Sequence, residues 1–236
     1  MTIMIKLIQQ FIISILIMSA ISAVCLASGE NRPHISAVNA NHDFGFIPID
    51  YDFIHYFHVA NIGKADLKIE KMIPNCDCTT ASTNDTLLKP GDTADILIHF
   101  NTLNYYGPTT RHVTVYSNDP DHPTILLNYS SNIGFFPELF NINPIALFFL
   151  PGHKDKQINL INKYNKNVDF SIELEQDSLV TLDHYEGSID KNKPFALNVS
   201  PKTILPKGTH YTNIYINFVT DQGTARITAP IKIVRF

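Results

Sequence analysis

The sequence predicts an all-β protein: two antiparallel β-sandwiches in tandem behind an N-terminal signal segment. Three observations carry this. Apolar residues alternate with a period of two through most of the chain, turn-forming words separate the alternating runs, and the pattern of the first half recurs in the second.

The N-terminal segment comes first. Lys6 is the only charge before Glu30, residues 7–18 are apolar apart from Gln9, Gln10 and Ser14, and small residues occupy Ser19, Ala20, Ser22, Ala23, Ala27 and Ser28. That order is the signature of a secretory signal peptide over residues 1–27. Cleavage is expected after Ala27, with Ala23-Val24-Cys25 as a competing site. The uncharged run 7–29 also has the length of an uncleaved membrane anchor, the one membrane attachment the sequence offers. Cys25 as a lipidated cysteine is disfavoured, because Ser22-Ala23-Val24 lacks the Leu and the small final residue of bacterial lipoprotein signals. Export places the mature chain in the periplasm or outside the cell. A net charge of −4 with no basic block argues against nucleic acid and against an anionic membrane surface as partners. With so few cysteines the fold must be held by apolar packing rather than by a disulfide framework.

The strands come next. In "FHVANIGKADLKIEKM" Phe57 and Val59 face one way, then Leu67 and Ile69; in "TADILIHFN" Ile96, Ile98 and Phe100 alternate with Asp95, Leu97 and His99. Val113 and Val115 alternate in the next run, and Ile125, Leu127 and Tyr129 in the one after. Between them stand Asn61-Ile62-Gly63, Lys89-Pro90-Gly91-Asp92, Tyr106-Gly107-Pro108 and Asn118-Asp119-Pro120. The second half repeats this series. Asn162 falls 101 residues after Asn61, and Gly208 falls 101 residues after Gly107. A repeat of that length is one immunoglobulin-sized sandwich per copy. The expected domains are therefore 33–134 and 135–236, both immunoglobulin-like, the second a degenerate copy of the first.

The copies differ at one informative place. Copy one carries "IPNCDCTTA", with Cys76 and Cys78 flanking Asp77; copy two has no cysteine there. In series, "HDFGFI", "FHVANIGKADLKI", "IPNCDCTTA", "LKPGDTADILIHFNT" and "YYGPTTRHVTVYSNDPDHPTILL" resemble an uncharacterised bacterial family of exported immunoglobulin-like domains. That family is marked by Asp-Phe-Gly, Asn-x-Gly, Cys-x-Cys-Thr, Pro-Gly and Ser/Thr-Asn-Asp-Pro, and is related to Hydin-type and PapD-like sandwiches. The resemblance covers residues 41–133. It implies the fold, an envelope location, and Cys76 and Cys78 as the motif cysteines; it implies no activity. Asp77 stands where the family usually has a small residue.

Most motif residues have structural readings. Asp43-Phe44-Gly45 looks like a kinase activation triplet, but nothing else of a kinase is present, so Phe44 reads as core and Gly45 as a backbone device. Asn61 with Gly63, and Asn118-Asp119-Pro120, read as turns. Three readings stand side by side for Cys76 and Cys78: a disulfide between residues two apart, a soft-metal grip for copper or zinc, and a packed pair of thiols. Seven of the ten histidines lie between His34 and His122, and His55 and His58 sit on one alternating strand. None has the short spacing to the cysteines that zinc motifs show, and most are expected on the wet face. Three Asn-x-Ser/Thr words, at Asn84, Asn128 and Asn198, would matter only in a host that glycosylates secreted proteins. No hydrolase elbow, zincin helix, phosphate loop or Cys-x-x-Cys occurs. The functional expectation is a non-enzymatic envelope protein, without cofactor, whose modules bind another envelope protein or an extended peptide segment. The alternative is a thiol-redox or copper/zinc-handling protein centred on Cys76 and Cys78.

Overall fold

The computed structural model describes residues 31–236, so the expected signal segment 1–27 and Cys25 lie outside the described residues. No helix occurs among them; the secondary structure is all strand. The first half contains β1 (Ile35–Ala37), β2 (Asn41–Ile47), β3 (Asp52–Asn61), β4 (Leu67–Pro74), β5 (Thr79–Thr83), β6 (Leu87–Leu88), β7 (Thr93–Asn101), β8 (Gly107–Ser117) and β9 (Thr124–Ile133). The second half contains β10 (Phe140–Asn143), β11 (Leu147–Phe149), β12 (Lys156–Asn162), β13 (Val168–Leu174), β14 (Val180–Leu182), β15 (Glu186–Ile189), β16 (Phe195–Pro201), β17 (Gly208–Thr220) and β18 (Gly223–Arg235).

The period-two pattern becomes two buried faces. On β7, Ile96, Ile98 and Phe100 are fully buried, and β8 and β9 present Val113, Val115, Leu127 and Tyr129 to the same core. Each such side chain contributes roughly 1.5–3 kcal/mol on leaving water. One four-stranded sheet, ordered β1-β3-β7-β5, covers the first core; another, ordered β10-β12-β16-β14, covers the second. The opposite faces of both cores belong to one continuous ten-stranded sheet running β15-β13-β17-β18-β2-β9-β8-β4-β6, with β11 beside β18. The reading of two sandwiches each complete in itself did not anticipate this continuity. Strand β18 is long enough to pair with β11 through residues 231–233 and still meet β2 at Ile227↔Phe46.

The turn words prove to be tethers. Asn61 is fully buried; its Nδ2 donates to Ala65 O (2.8 Å) and Leu88 O (2.9 Å), and its Oδ1 accepts from Gly63 N (3.0 Å). Gly63 is required because a Cβ there would lie 2.4 Å from both Arg32 O and His34 N. Asp119 is also buried and ties β1 to the β8–β9 turn. Its carboxylate accepts from Ile35 N (2.9 Å), Asp121 N (2.9 Å) and His122 N (3.1 Å), with His34 Nδ1 3.1 Å away. Burial alone would raise the Asp119 pKa, but those backbone donors and His34 outweigh it and hold the carboxyl below its ordinary range.

Candidate functional site at the junction of the two halves

Two places bring chemistry-bearing side chains together. The first is the Cys76–Cys78 turn. Pro74 ends β4, and Asn75 anchors the start of the turn to β8: its N–H donates to His112 O (3.0 Å), and its Oδ1 accepts from His112 N (3.1 Å). Cys76 and Cys78 form a disulfide across a Cα separation of 5.2 Å, with Asp77 exposed between them. Thr79, the fourth residue of the motif, is buried. Its hydroxyl lies 3.5 Å from the Cys76 sulfur and 3.7 Å from that of Cys78, and it hydrogen-bonds the Tyr129 hydroxyl in the core. Burial raises the Tyr129 pKa, against the opposing Thr79 bond. The turn therefore caps one end of the first core. As a disulfide the sulfurs are not thiolates, so a copper or zinc site built on Cys76 and Cys78 requires the reduced pair. Asn75, together with the Asn101 N to Cys78 O bond (2.8 Å), holds the turn independently of the sulfurs. Replacing both cysteines with serine is thus expected to leave the fold intact and cost about 1–3 kcal/mol. Urea melts should show a lower midpoint with an unchanged slope; a chain that no longer folds would contradict this.

The second place is where the halves meet. Residues of β2 and β3 face the segment after β13 and the middle of β17 and β18 across an open cleft of about 670 Å³. Glu175, just past β13, is the centre. Its side chain is only 6% exposed, and it accepts from Tyr56 N (2.9 Å), from the Tyr215 hydroxyl and from His55 Nδ1 (3.0 Å). Tyr215 is buried and packs into the first core, and its pKa is pushed well up, by burial first and by the Glu175 charge second. His42 stacks on His55 with ring centroids 3.6 Å apart and planes 18° apart. The His42 Nε2 atom is buried without a hydrogen-bond partner. Burial, then the neighbouring His55 and Arg226, pull the His42 pKa down to about 2, so its imidazole is neutral at any ordinary pH.

Direct bonds lock the junction. Asn213 Nδ2 donates to Ile54 O (2.6 Å), the Thr228 hydroxyl donates to Phe44 O, and Gln176 Nε2 donates to the Tyr56 hydroxyl. Arg226 donates from Nη1 to Asp43 O (3.1 Å) and from Nε to Asn217 Oδ1 (2.8 Å), and it pairs with Glu173 at 3.3 Å. Its guanidinium lies over the Tyr215 ring, 5.2 Å from the centroid.

Of the residues singled out from sequence, Cys76 and Cys78 come together at the end of the first core, and His55 enters the junction. His58 stays exposed and pairs with Asp95 at 2.6 Å. Among the described residues, the group of three whose ligand atoms lie within 4.8 Å of one another consists of His42, His55 and Glu175. Neither cysteine belongs to it. His42 and Glu175 were not singled out from sequence as site residues. Glu175 lies 120 residues beyond His55, in a stretch with no motif, and no spacing rule links the two.

This is an all-β architecture of two sandwiches joined through one sheet, with an oxidised Cys-x-Cys turn at one end and a polar junction between the halves. Residues 35–132 match the model of a family described as "Protein of unknown function (DUF1573)". No curated protein matches the chain in sequence. Among solved structures, the Escherichia coli chaperone DraB is 8% identical with a TM-score of 0.35, over 40% of this chain and 54% of that one. The CsuC–CsuE chaperone–tip adhesion subunit complex of Acinetobacter baumannii is 14% identical with a TM-score of 0.37, over 40% and 56%. The PapD-like domain 7 of human CEP192 is 13% identical with a TM-score of 0.37, over 44% and 87%. The chain thus spans little more than half the length of the two chaperone structures, and scores this low assign it nothing.

Proposed function

We propose that this is a non-enzymatic, exported protein of the cell envelope, periplasmic or secreted, whose first sandwich binds an extended segment of another envelope protein by strand addition. The observation that carries the reading is the position of the Cys76–Cys78 turn. It takes the chain from β4, in one sheet, to β5, at the free end of the facing sheet. Among the described residues β5 pairs only with β7, and β6 covers β4 only at Leu67 and Lys68, so residues 70–74 of β4 have no strand on their outer side. Two unpaired edges therefore flank one side of the first sandwich, joined by the Cys76–Cys78 turn. A free edge offers backbone donors and acceptors to an added strand. Exposed Thr80 and Ser82 alternate there with inward Thr79, Ala81 and Thr83.

We further take 33–134 and 135–236 as two copies of one module. The support is that Asn162 donates to Lys166 O and Ile189 O, as Asn61 does to Ala65 O and Leu88 O, each residue 101 further along. The copper/zinc alternative at Cys76 and Cys78 has no third ligand among the described residues to support it, and the thiol-redox alternative rests on the disulfide alone.

A photoreactive residue at Ser82, expressed in the native host, tests the docking reading. A discrete adduct is expected at Ser82 and not at exposed His184. Ala81→Pro should abolish it, because proline removes a donor and is tolerated on an edge. Equal adducts at both positions, or an adduct indifferent to Ala81→Pro, would count against strand addition.

A further inference from the structure

The junction contains a donor set that the docking reading leaves unused. We propose that His42, His55 and Glu175 form a binding site for one divalent first-row transition ion, with zinc(II) as the probe, held between the two halves of the protein.

Four observations support the assignment. The three ligand atoms lie within 4.8 Å of one another, and they come from β2, from β3 and from the segment after β13, so the site exists only when the halves are joined. Two imidazoles and a carboxylate are the donors that zinc and its neighbours accept, and three protein ligands leave a position for water on the cleft side. His42 Nε2 is buried with no partner. An unsatisfied buried nitrogen normally costs free energy and calls for an explanation, and an absent ligand is one. The cleft is also acid-rich: Asp43, Asp95, Glu173 and Asp177 line it with Glu175, against the single guanidinium of Arg226. Such a lining raises the local concentration of cations.

The rings of His42 and His55 stack nearly parallel, so an ion reaching both needs one ring to swing. Glu175 holds His55 at 3.0 Å, whereas no hydrogen bond holds the Nε2 of His42, so the swing falls to His42 and has to displace its ring contacts with His55, Phe44 and Tyr215. The ion would take the place of the hydrogen bond between His55 Nδ1 and Glu175 Oε2, with the ring proton carried on His55 Nε2 so that the neutral imidazole offers Nδ1 as the ligand. Tyr56 N and the Tyr215 hydroxyl remain on the carboxylate to orient it. This site is separate from Cys76 and Cys78 and does not depend on strand addition.

The test is titration of the chelator-stripped full chain with zinc(II) by calorimetry, with cobalt(II) as a spectroscopic substitute. One ion per chain is expected, together with a visible cobalt(II) band that zinc displaces. His42→Ala and Glu175→Gln should each weaken binding at least about 10-fold, on the scale set by losing a ligand or its orienting partner, while Cys76→Ser with Cys78→Ser should leave it unchanged. Should His42→Ala fail to fold, Glu175→Gln decides the matter. No stoichiometric binding by that chain, or binding that survives loss of His42 while the double cysteine variant loses it, would overturn the proposal.

Discussion

Replacing Gly45 with alanine is expected to destabilise the protein by about 2–5 kcal/mol, a left-handed-backbone penalty added to an overpacked contact. Gly45 has φ +66°, a region that costs any residue with a Cβ. It also sits where β2 meets β18. A Cβ on Gly45 would lie 2.4 Å from Arg226 O and 2.8 Å from Arg226 Cβ. The carbonyl is backbone, so relief requires β18 to move away from β2. That movement would pull Arg226 from Asp43 O and the Thr228 hydroxyl from Phe44 O. Phe44 is fully buried against Phe53, Phe100, Tyr129 and Tyr215, so the disturbance reaches the first core directly. Urea unfolding should show a much lower midpoint for Gly45→Ala, whereas Gly91→Ala, whose added Cβ meets nothing within 4 Å, should show only its backbone cost. Equal losses at the two glycines would mean that the close approach of the halves contributes nothing.

Acid should weaken the metal-free protein well above the pH at which carboxylates titrate. His42 stays neutral when folded because burial, His55 and Arg226 depress its pKa to about 2, while in the unfolded chain it returns to its ordinary 6.5. Below pH 6.5 the unfolded state therefore binds a proton that the folded state refuses. The His42 contribution is fully present above 6.5 and is lost progressively as the pH falls from there towards 2, by about 1.4 kcal/mol per pH unit. Between pH 7.5 and 4.5 this one group should remove about 2–3 kcal/mol. Asp119, also depressed, acts with the same sign but only at lower pH, near and below the ordinary carboxylate value of 3.8. Denaturant melts in chelator across this range should show the slope in the unaltered chain and a much flatter dependence in His42→Phe, which keeps an aromatic ring against His55 and Phe44. An unaltered slope in that variant would place the acid sensitivity elsewhere.

How far the sequence reaches depends on the range of each interaction. Period-two alternation is a local signal, and it led to the strands carrying Ile96, Ile98, Phe100, Val113 and Val115. Gly45, Asn61 and Gly63 were legible as backbone devices because turn chemistry is local too. Asp119 was legible only as a turn residue; its second role, holding Ile35 across 84 residues, has no local trace. The junction is the extreme case. His42 sits in a recognisable word and His55 on a recognisable strand, yet Glu175 lies past β13 in a stretch whose counterpart in the first half carries the cysteines. One register pair, Ile227↔Phe46, joins β18 to β2, and nothing in either segment announces it. Cys76 and Cys78 form a structural turn, while the denser cluster of ligand atoms lies between the halves.

Amide hydrogen exchange on the full chain, measured with and without the partner captured at Ser82, tests the proposed function most directly. Strand addition predicts new protection in residues 79–83 of β5, or in residues 70–73 of β4, at the alternate amides that point away from β7 or β8, because those amides gain acceptors when a strand is added. The remaining strands, the edge strands β1, β10, β14 and β15 included, should change little. Protection confined to the second half, or to the β8–β9 turn, with both free edges exchanging as before, would contradict the account.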